Sequence, residues 1–255
     1  MNFDTDISFN RGRWAQLITS QEPLFDIGAL VEISDRLRQE FHEGHLPGRL
    51  MPVIPSSAYG LEIPSGFGEQ VAGYDLPCLL SSDRDPKGTV MLCAQDPLRS
   101  GTDRGVTVGT FFGIDSQRLR HSRRHYGVLW ELIRRCVAFG YDVWVTDGMK
   151  LYVKGAPIGA RLHQLCGEVL LDEVRLVKPD HIVAFGNRAR DLLSGFGLEG
   201  RIIHMRHQTA WGLSSGGSTD GQTAIGGGTP EARFEAKVQD YCRRIFDHEL
   251  PRSKP

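Results

Sequence analysis

Residues 89–116, TVMLCAQDPLRSGTDRGVTVGTFFGIDS, decide the fold. The stretch opens on a short apolar run at 89–93 and breaks at Gln95-Asp96-Pro97 into a polar, glycine-rich loop. A short apolar run bounded by turn residues reads as an interior strand. Pro97 has no N–H to donate and biases Asp96 away from helix, so the strand ends there. A carboxylate is thereby set at the carboxyl edge of a strand, where open α/β sheets keep their ligand crevice. Taken alone, Asp96-Pro97 reads equally as a plain turn.

Outward from this stretch, strand-like and helix-like runs alternate. Residues 125–139 place Val128, Leu129, Leu132, Ile133 and Cys136 on one helical face, with Gly140 as the stop. Residues 142–147 (DVWVTD), 180–186 (DHIVAFG) and 201–205 (RIIHM) read as strands, with helices over 161–177 and from 188 to 193. Thr229-Pro230-Glu231 is an N-cap followed by a helix-starting proline. Phe234, Val238, Tyr241, Cys242 and Ile245 give that last helix its apolar face. Upstream, 29–43 has helical spacing, and 44–88, rich in Gly, Pro and Ser, reads as a long irregular segment that covers or lines a site. The alternation predicts an α/β fold of three layers, α/β/α, around a central, mostly parallel four-stranded sheet. One domain is expected over 1–255: an irregular extension over about 1–88, a motif-bearing core over about 89–215 and a C-terminal helix over about 229–248.

Composition narrows the function classes. The 255 residues are 40% hydrophobic and 24% charged, ordinary for a soluble globular chain. The net charge of −1 gives no bulk attraction to nucleic acid or membrane, although a local basic patch suffices for DNA. Cys78, Cys93, Cys136, Cys166 and Cys242 form no CxxC pair and are odd in number, so they read as reduced thiols without a disulfide framework or a cysteine-based metal or cluster site. The N-terminus is acidic and polar, unlike a secretory signal, and no run approaches the ~18 apolar residues of a membrane span. A cytoplasmic protein with no membrane partner is expected. The chain lacks GxGxxG after a first strand and lacks GxxxxGK[ST], so the two commonest nucleotide-binding motifs are missing. GGSTDGQTAIGGG, 216–228, follows no strand-to-helix turn and reads as a flexible surface loop.

Polar residues gather at three strand ends: Gln95 and Asp96; Thr146 and Asp147, followed by Lys150; and His204 or His207. Two acids and a histidine from separate strands form a common catalytic layout. Each also has a bland reading, since Asp147-Gly148 is a frequent turn dipeptide and His207 suits a surface.

The order and spacing of these segments resemble the uracil-DNA glycosylase superfamily. AQDPLR (94–99) is similar to its GQDPYH motif after the first strand, and GVTVG (105–109) stands where a PFVG-like or LAFS-like segment follows. VWVTD (143–147) is similar to a strand ending in Asn, VYITN; KPDHIVAFG (178–186) is similar to KPQIIVALG of the iron–sulfur branch; HQTA (207–210) is similar to HPSP or HPA. The likeness covers 89–215, about half the chain. It implies a uracil-DNA-glycosylase-like fold. It implies that Asp96 positions and polarises the attacking water and that His207 stabilises negative charge on O2 of the departing base. Trp211 falls where the family carries an apolar wedge that fills the gap left by a flipped nucleotide; the alternative is a core aromatic. Arg188, Arg206, Lys150 and Lys154 lie near the same edge and could hold phosphates, or could be plain solvated charges.

The departures concern the base. Asp147 stands where uracil enzymes have Asn, whose amide meets both N3–H and O4 of uracil. An ionised Asp accepts only, and so repels O4 while taking the N4 amino group of cytosine. If burial protonates Asp147, it can also donate to cytosine N3. Leu98 replaces a Tyr that closes the uracil pocket against C5, and Val108 falls where many members stack a Phe on the base. Stacking is then weak or supplied by Phe111 or Phe112. Gln95, Leu98, Val108, Phe111, Phe112 and Asp147 are thus the expected base-binding set. The enlarged pocket suits a 5-modified cytosine, as in an antiphage member of the superfamily that excises glucosylated hydroxymethylcytosine. The iron–sulfur cysteines of the related branch are missing, and neither metal nor cofactor is expected. The expected activity is a monofunctional DNA N-glycosylase, with a cytosine-type base or a 5-modified (hydroxymethylated or glucosylated) cytosine as substrate and antiphage defence as setting. The alternatives are a repair glycosylase for uracil or another deaminated base, and a catalytically inactive nucleic-acid-binding member. The expected partner is DNA, double- or single-stranded, bound by a monomer.

Overall fold

The structure is a computed structural model that describes residues 8–9, 11–21, 24, 71–82, 85–97, 106–114, 120, 125–153, 159–198, 201–206 and 229–247. The two-residue strand β1 (Ser8–Phe9) precedes helix α1 (Arg11–Leu17), which runs into a 3-10 turn over Ile18–Gln21. Next come β2 (Val71–Leu76), β3 (Cys78–Ser81), β4 (Gly88–Ala94), β5 (Val106–Val108) and a 3-10 turn over Thr110–Phe112. Helix α2 (His125–Ala138) leads to β6 (Tyr141–Asp147), β7 (Leu151–Val153) and helix α3 (Ala160–Val177). The chain continues through β8 (His181–Phe185), α4 (Asn187–Ser194), β9 (Ile202–Met205) and α5 (Pro230–Phe246). The helix expected over 29–43 lies outside the described residues.

Six strands form one mixed sheet in the order β1-β3-β6-β4-β8-β9. β6, β4, β8 and β9 are mutually parallel, and they are the four strands read from the sequence. β3 runs antiparallel to β6 and β1 antiparallel to β3. The sheet is therefore wider than the four strands expected. β3 and β2 arise from the segment expected to be irregular. Gly73 and Pro77 interrupt that segment, so it carries no clear strand signal of its own. β2 belongs to a second sheet of order β5-β2-β7, parallel to β5 and antiparallel to β7.

β4 lies between β6 and β8, and its residues from Val90 to Ala94 are all fully buried. That explains a continuous apolar run without alternation. On β6, Tyr141 packs its ring against Phe246 of α5 with centroids 5.2 Å apart. Trp144 and Thr146 instead donate to Glu173 of α3. Odd and even positions of a strand face opposite sides, so α3 and α5 cover opposite faces and the architecture has three layers. The helix ends follow local chemistry. Thr229 Oγ1 accepts from the Ala232 N–H at 3.2 Å ahead of Pro230, and Gly140 takes φ 93° after α2. All five cysteines are free and buried. Burial pushes their thiols up, Cys242 to about 11, which removes thiolate character.

Candidate functional site

The site is built where β4 and β6 end together. Ala94 is paired with Asp147 across the two parallel strands, so Gln95-Asp96 and Asp147-Gly148 leave the sheet at the same edge. Backbone bonds hold the two exits together: Gly148 N–H donates to Ala94 O at 2.8 Å and Met149 N–H to Gln95 O at 2.9 Å. Gly148 leaves little room for a side chain, since a Cβ there would come within 2.9 Å of Leu192.

Gln95 points toward the start of α4. Its Oε1 accepts the Arg188 N–H at 3.2 Å, satisfying one of the helix's free amides. Its side chain lies against Gly186, which sits at φ 90°. Gln95 thus works as a tie between β4 and α4. Asp96 is half-exposed and accepts from Arg188 Nη1 at 2.9 Å. The structure therefore brings Gln95, Asp96, Asp147 and Arg188 to one edge.

Asp147 has a different environment. It is 2% exposed, and its Oδ1 is buried with no hydrogen-bond partner among the described residues. Burial pushes its carboxyl well up; Asp75, in hydrogen-bond contact with it, adds to the rise, Lys150 opposes it and Asp96 contributes further. Asp75 went unnoticed in the sequence, where it falls within 44–88, the segment read as irregular. Lys150 is a correction. It is wholly buried and pairs with the equally buried Glu173, Nζ to Oε1 at 2.7 Å, so it offers no ammonium to a surface phosphate. Lys150 also donates to Thr146 Oγ1, and Glu173 further accepts from Gln21 Nε2 at 2.6 Å.

Val108, Phe111 and Phe112 are also buried, at 2%, 3% and 0% exposure. The Phe112 ring stands edge-on to Phe111 at 5.2 Å and to Phe185 at 5.9 Å. They form apolar wall, and none presents an open face to solvent. His204 and Arg206, at the end of β9, are half-buried. Leu98, Lys154, His207 and Trp211 lie outside the described residues. No protein-family model matches the chain, and comparison with curated proteins finds no significant match. Among the described residues no group of His, Cys, Asp and Glu is arranged to hold a metal, and no helix is long and apolar enough to cross a membrane.

Chemically, one carboxyl is half in water beside a guanidinium and a neighbouring one is buried in a low dielectric. Environments that differ in this way assign different tasks to two acids. The first suits activation of water, and the second suits hydrogen bonding to a neutral ligand edge.

Proposed function

We propose that the chain is a monofunctional DNA N-glycosylase that flips a cytosine-type base, a 5-modified cytosine above all, and hydrolyses its N-glycosidic bond to leave an abasic site. One observation carries the reading: Asp96 and Asp147 leave adjacent parallel strands side by side, the first half-exposed and the second buried with an unpartnered oxygen. In this reading Asp96 orients water toward C1′ of the deoxyribose and offsets the positive charge that builds on the sugar as the bond breaks. Asp147 reads the base edge, and its raised affinity for a proton favours a donor and an acceptor together, the complement of N3 and the N4 amino group. His207 is assigned to the negative charge on O2 of the leaving base, and Trp211 to the space left in the duplex, both by likeness of motif. Arg188 is assigned to the phosphate backbone at the same edge.

The test is incubation of the chain with DNAs carrying uracil, cytosine, hydroxymethylcytosine or glucosylated hydroxymethylcytosine, followed by alkaline cleavage at abasic sites. Cleavage is expected with a cytosine-type base. Asp96→Asn is expected to slow it by about 10²–10⁴-fold; an unchanged rate would sink the assignment of Asp96. Asp147→Asn is expected to move preference toward uracil. Release of uracil alone by the parent chain would make it a repair glycosylase, and binding without any release would make it a nucleic-acid-binding protein.

A further inference from the structure

We propose that Glu173 is a positioning residue of the site: its carboxylate grips both ends of the turn 146–150 and so fixes where that turn presents Asp147. The consequence for base recognition rests on the reading of Asp147 as the residue that meets the base. Glu173 lies on the buried stripe of α3. Both of its oxygens are engaged. Oε1 pairs with Lys150 Nζ at 2.7 Å and accepts from Gln21 Nε2 at 2.6 Å. Oε2 accepts from Thr146 Oγ1 at 2.8 Å and from Trp144 Nε1 at 3.3 Å. These donors match the lone-pair positions that an ionised carboxylate offers. Two of them stand at the ends of one turn: Thr146 immediately precedes Asp147, and Lys150 follows after Gly148 and Met149. Lys150 Nζ also donates to Thr146 Oγ1, which closes the ring between the two ends.

The grip acts on the backbone and leaves the Asp147 carboxyl alone. Successive side chains of a strand face opposite sides, so Thr146 points to α3 and Asp147 to the other face. Lys150 returns to the α3 face once the turn is complete, where it meets Glu173. Between these two anchors the main chain is tied to β4, with Gly148 N–H on Ala94 O and Met149 N–H on Gln95 O. The turn is thus held at its ends by one carboxylate and in its middle by the strand that leads to Asp96. The ammonium of its own lysine is committed to the α3 face, and the buried Asp147 Oδ1, without a hydrogen bond among the described residues, is left for a ligand. Charge makes the grip directional. An apolar pair of the same volume would hold α3 on β6 about as firmly, but apolar burial sets no direction. Hydrogen bonds to an ionised acceptor in a dry site do. Gln21 adds the 3-10 turn after α1 to the same carboxylate, so a segment remote from every recognisable motif braces the site from behind.

Three variants of the full chain test the grip. Glu173→Gln keeps the shape and removes the charge. Thr146→Val removes one anchor, leaves the ion pair whole and carries the same comparison if Glu173→Gln does not fold. Phe246→Leu is the control, thinning the packing on Tyr141 at the opposite end of β6. Amide hydrogen exchange is followed where the variants are folded. In Glu173→Gln, the amides of Gly148 and Met149 are expected to speed up about tenfold more than those of β8, and in Thr146→Val about threefold more. Phe246→Leu is expected to speed both sets alike. Equal acceleration of both sets in the Glu173 and Thr146 variants overturns the proposal whether or not any base is released. On DNA the readout is preference rather than rate. Glu173→Gln is expected to lower the ratio of kcat/KM for a cytosine-type base over uracil by about tenfold, and to change it less than about twofold when added to Asp147→Asn, because it acts through Asp147. Phe246→Leu is expected to leave that ratio unchanged. A loosened turn with an unchanged ratio also overturns the proposal. No release from any DNA, with the selective exchange as expected, would remove the glycosylase reading and leave Glu173 as the residue that positions the turn.

Discussion

Lys150 and Glu173 neutralise each other without solvent, each at 0% exposure. Removing one partner of such a pair strands the other, and Glu173→Ala or Lys150→Ala is expected to cost about 3–5 kcal/mol, read as a lower urea midpoint. Replacing both with apolar residues of similar volume is expected to recover most of that loss. The sequence contained a sign of this pair. Glu173 sits on the buried stripe of its helix, three and four residues from Leu170, Val169 and Val177, all buried. A carboxylate there demands a buried cation. Lys150 alone suggested a phosphate contact or a solvated charge, because it lies near the edge where the strands end. Asp96 was legible because Pro97 ends its strand. Asp75 was not legible, because its importance depends on contact with a residue far along the chain.

At the scale of elements, three of the four strands that could be read lie buried inside the sheet, and the fourth, β9, is a half-buried edge strand. β4, β6 and β8 announce themselves as apolar runs, while β2 draws its order from partners at 106–108 and 151–153. Long-range pairing of this kind leaves little local signal. Helix α4 is fixed by its approach to β4. At Gly186, φ is 90°, and a Cβ would come within 2.7 Å of the Gln95 side chain. Gly186→Ala is therefore expected to destabilise the fold by about 1–3 kcal/mol and to displace Gln95 from the Arg188 N–H; denaturation curves check the first and a crystal structure the second. The Arg188 and Asp96 side chains are 48% and 40% exposed, so their ion pair contributes only about 0–1 kcal/mol. Arg188→Ala is expected to leave the melting temperature almost unchanged. If Arg188 meets a phosphate, the same variant weakens DNA binding and lowers the slope of log affinity against log salt by about one.

For the whole molecule, the five buried thiols report on cooperativity. Cys78, Cys93, Cys136 and Cys166 are 0% exposed and Cys242 is 4% exposed, and they are spread over two strands and three helices. Alkylation under native conditions is expected to be slow, with all five thiols reacting together as global unfolding exposes them; early reaction of Cys242 alone would mark separate opening of α5. The antiparallel strand β3 has its own consequence at this scale. It covers the edge of β6 at Val143, Trp144 and Val145, while its neighbour β2 fills the gap between β5 and β7. A chain trimmed to 89–255 would keep every recognisable motif and yet bare an apolar strand edge. Such edges recruit strands from other molecules, so the trimmed chain is expected to aggregate, as sedimentation would show. A synthetic peptide of residues 71–82 carries β2, β3 and the Asp75 carboxyl. Added in trans, it is a candidate for reconstituting the protein from two pieces, one of which would switch the other on.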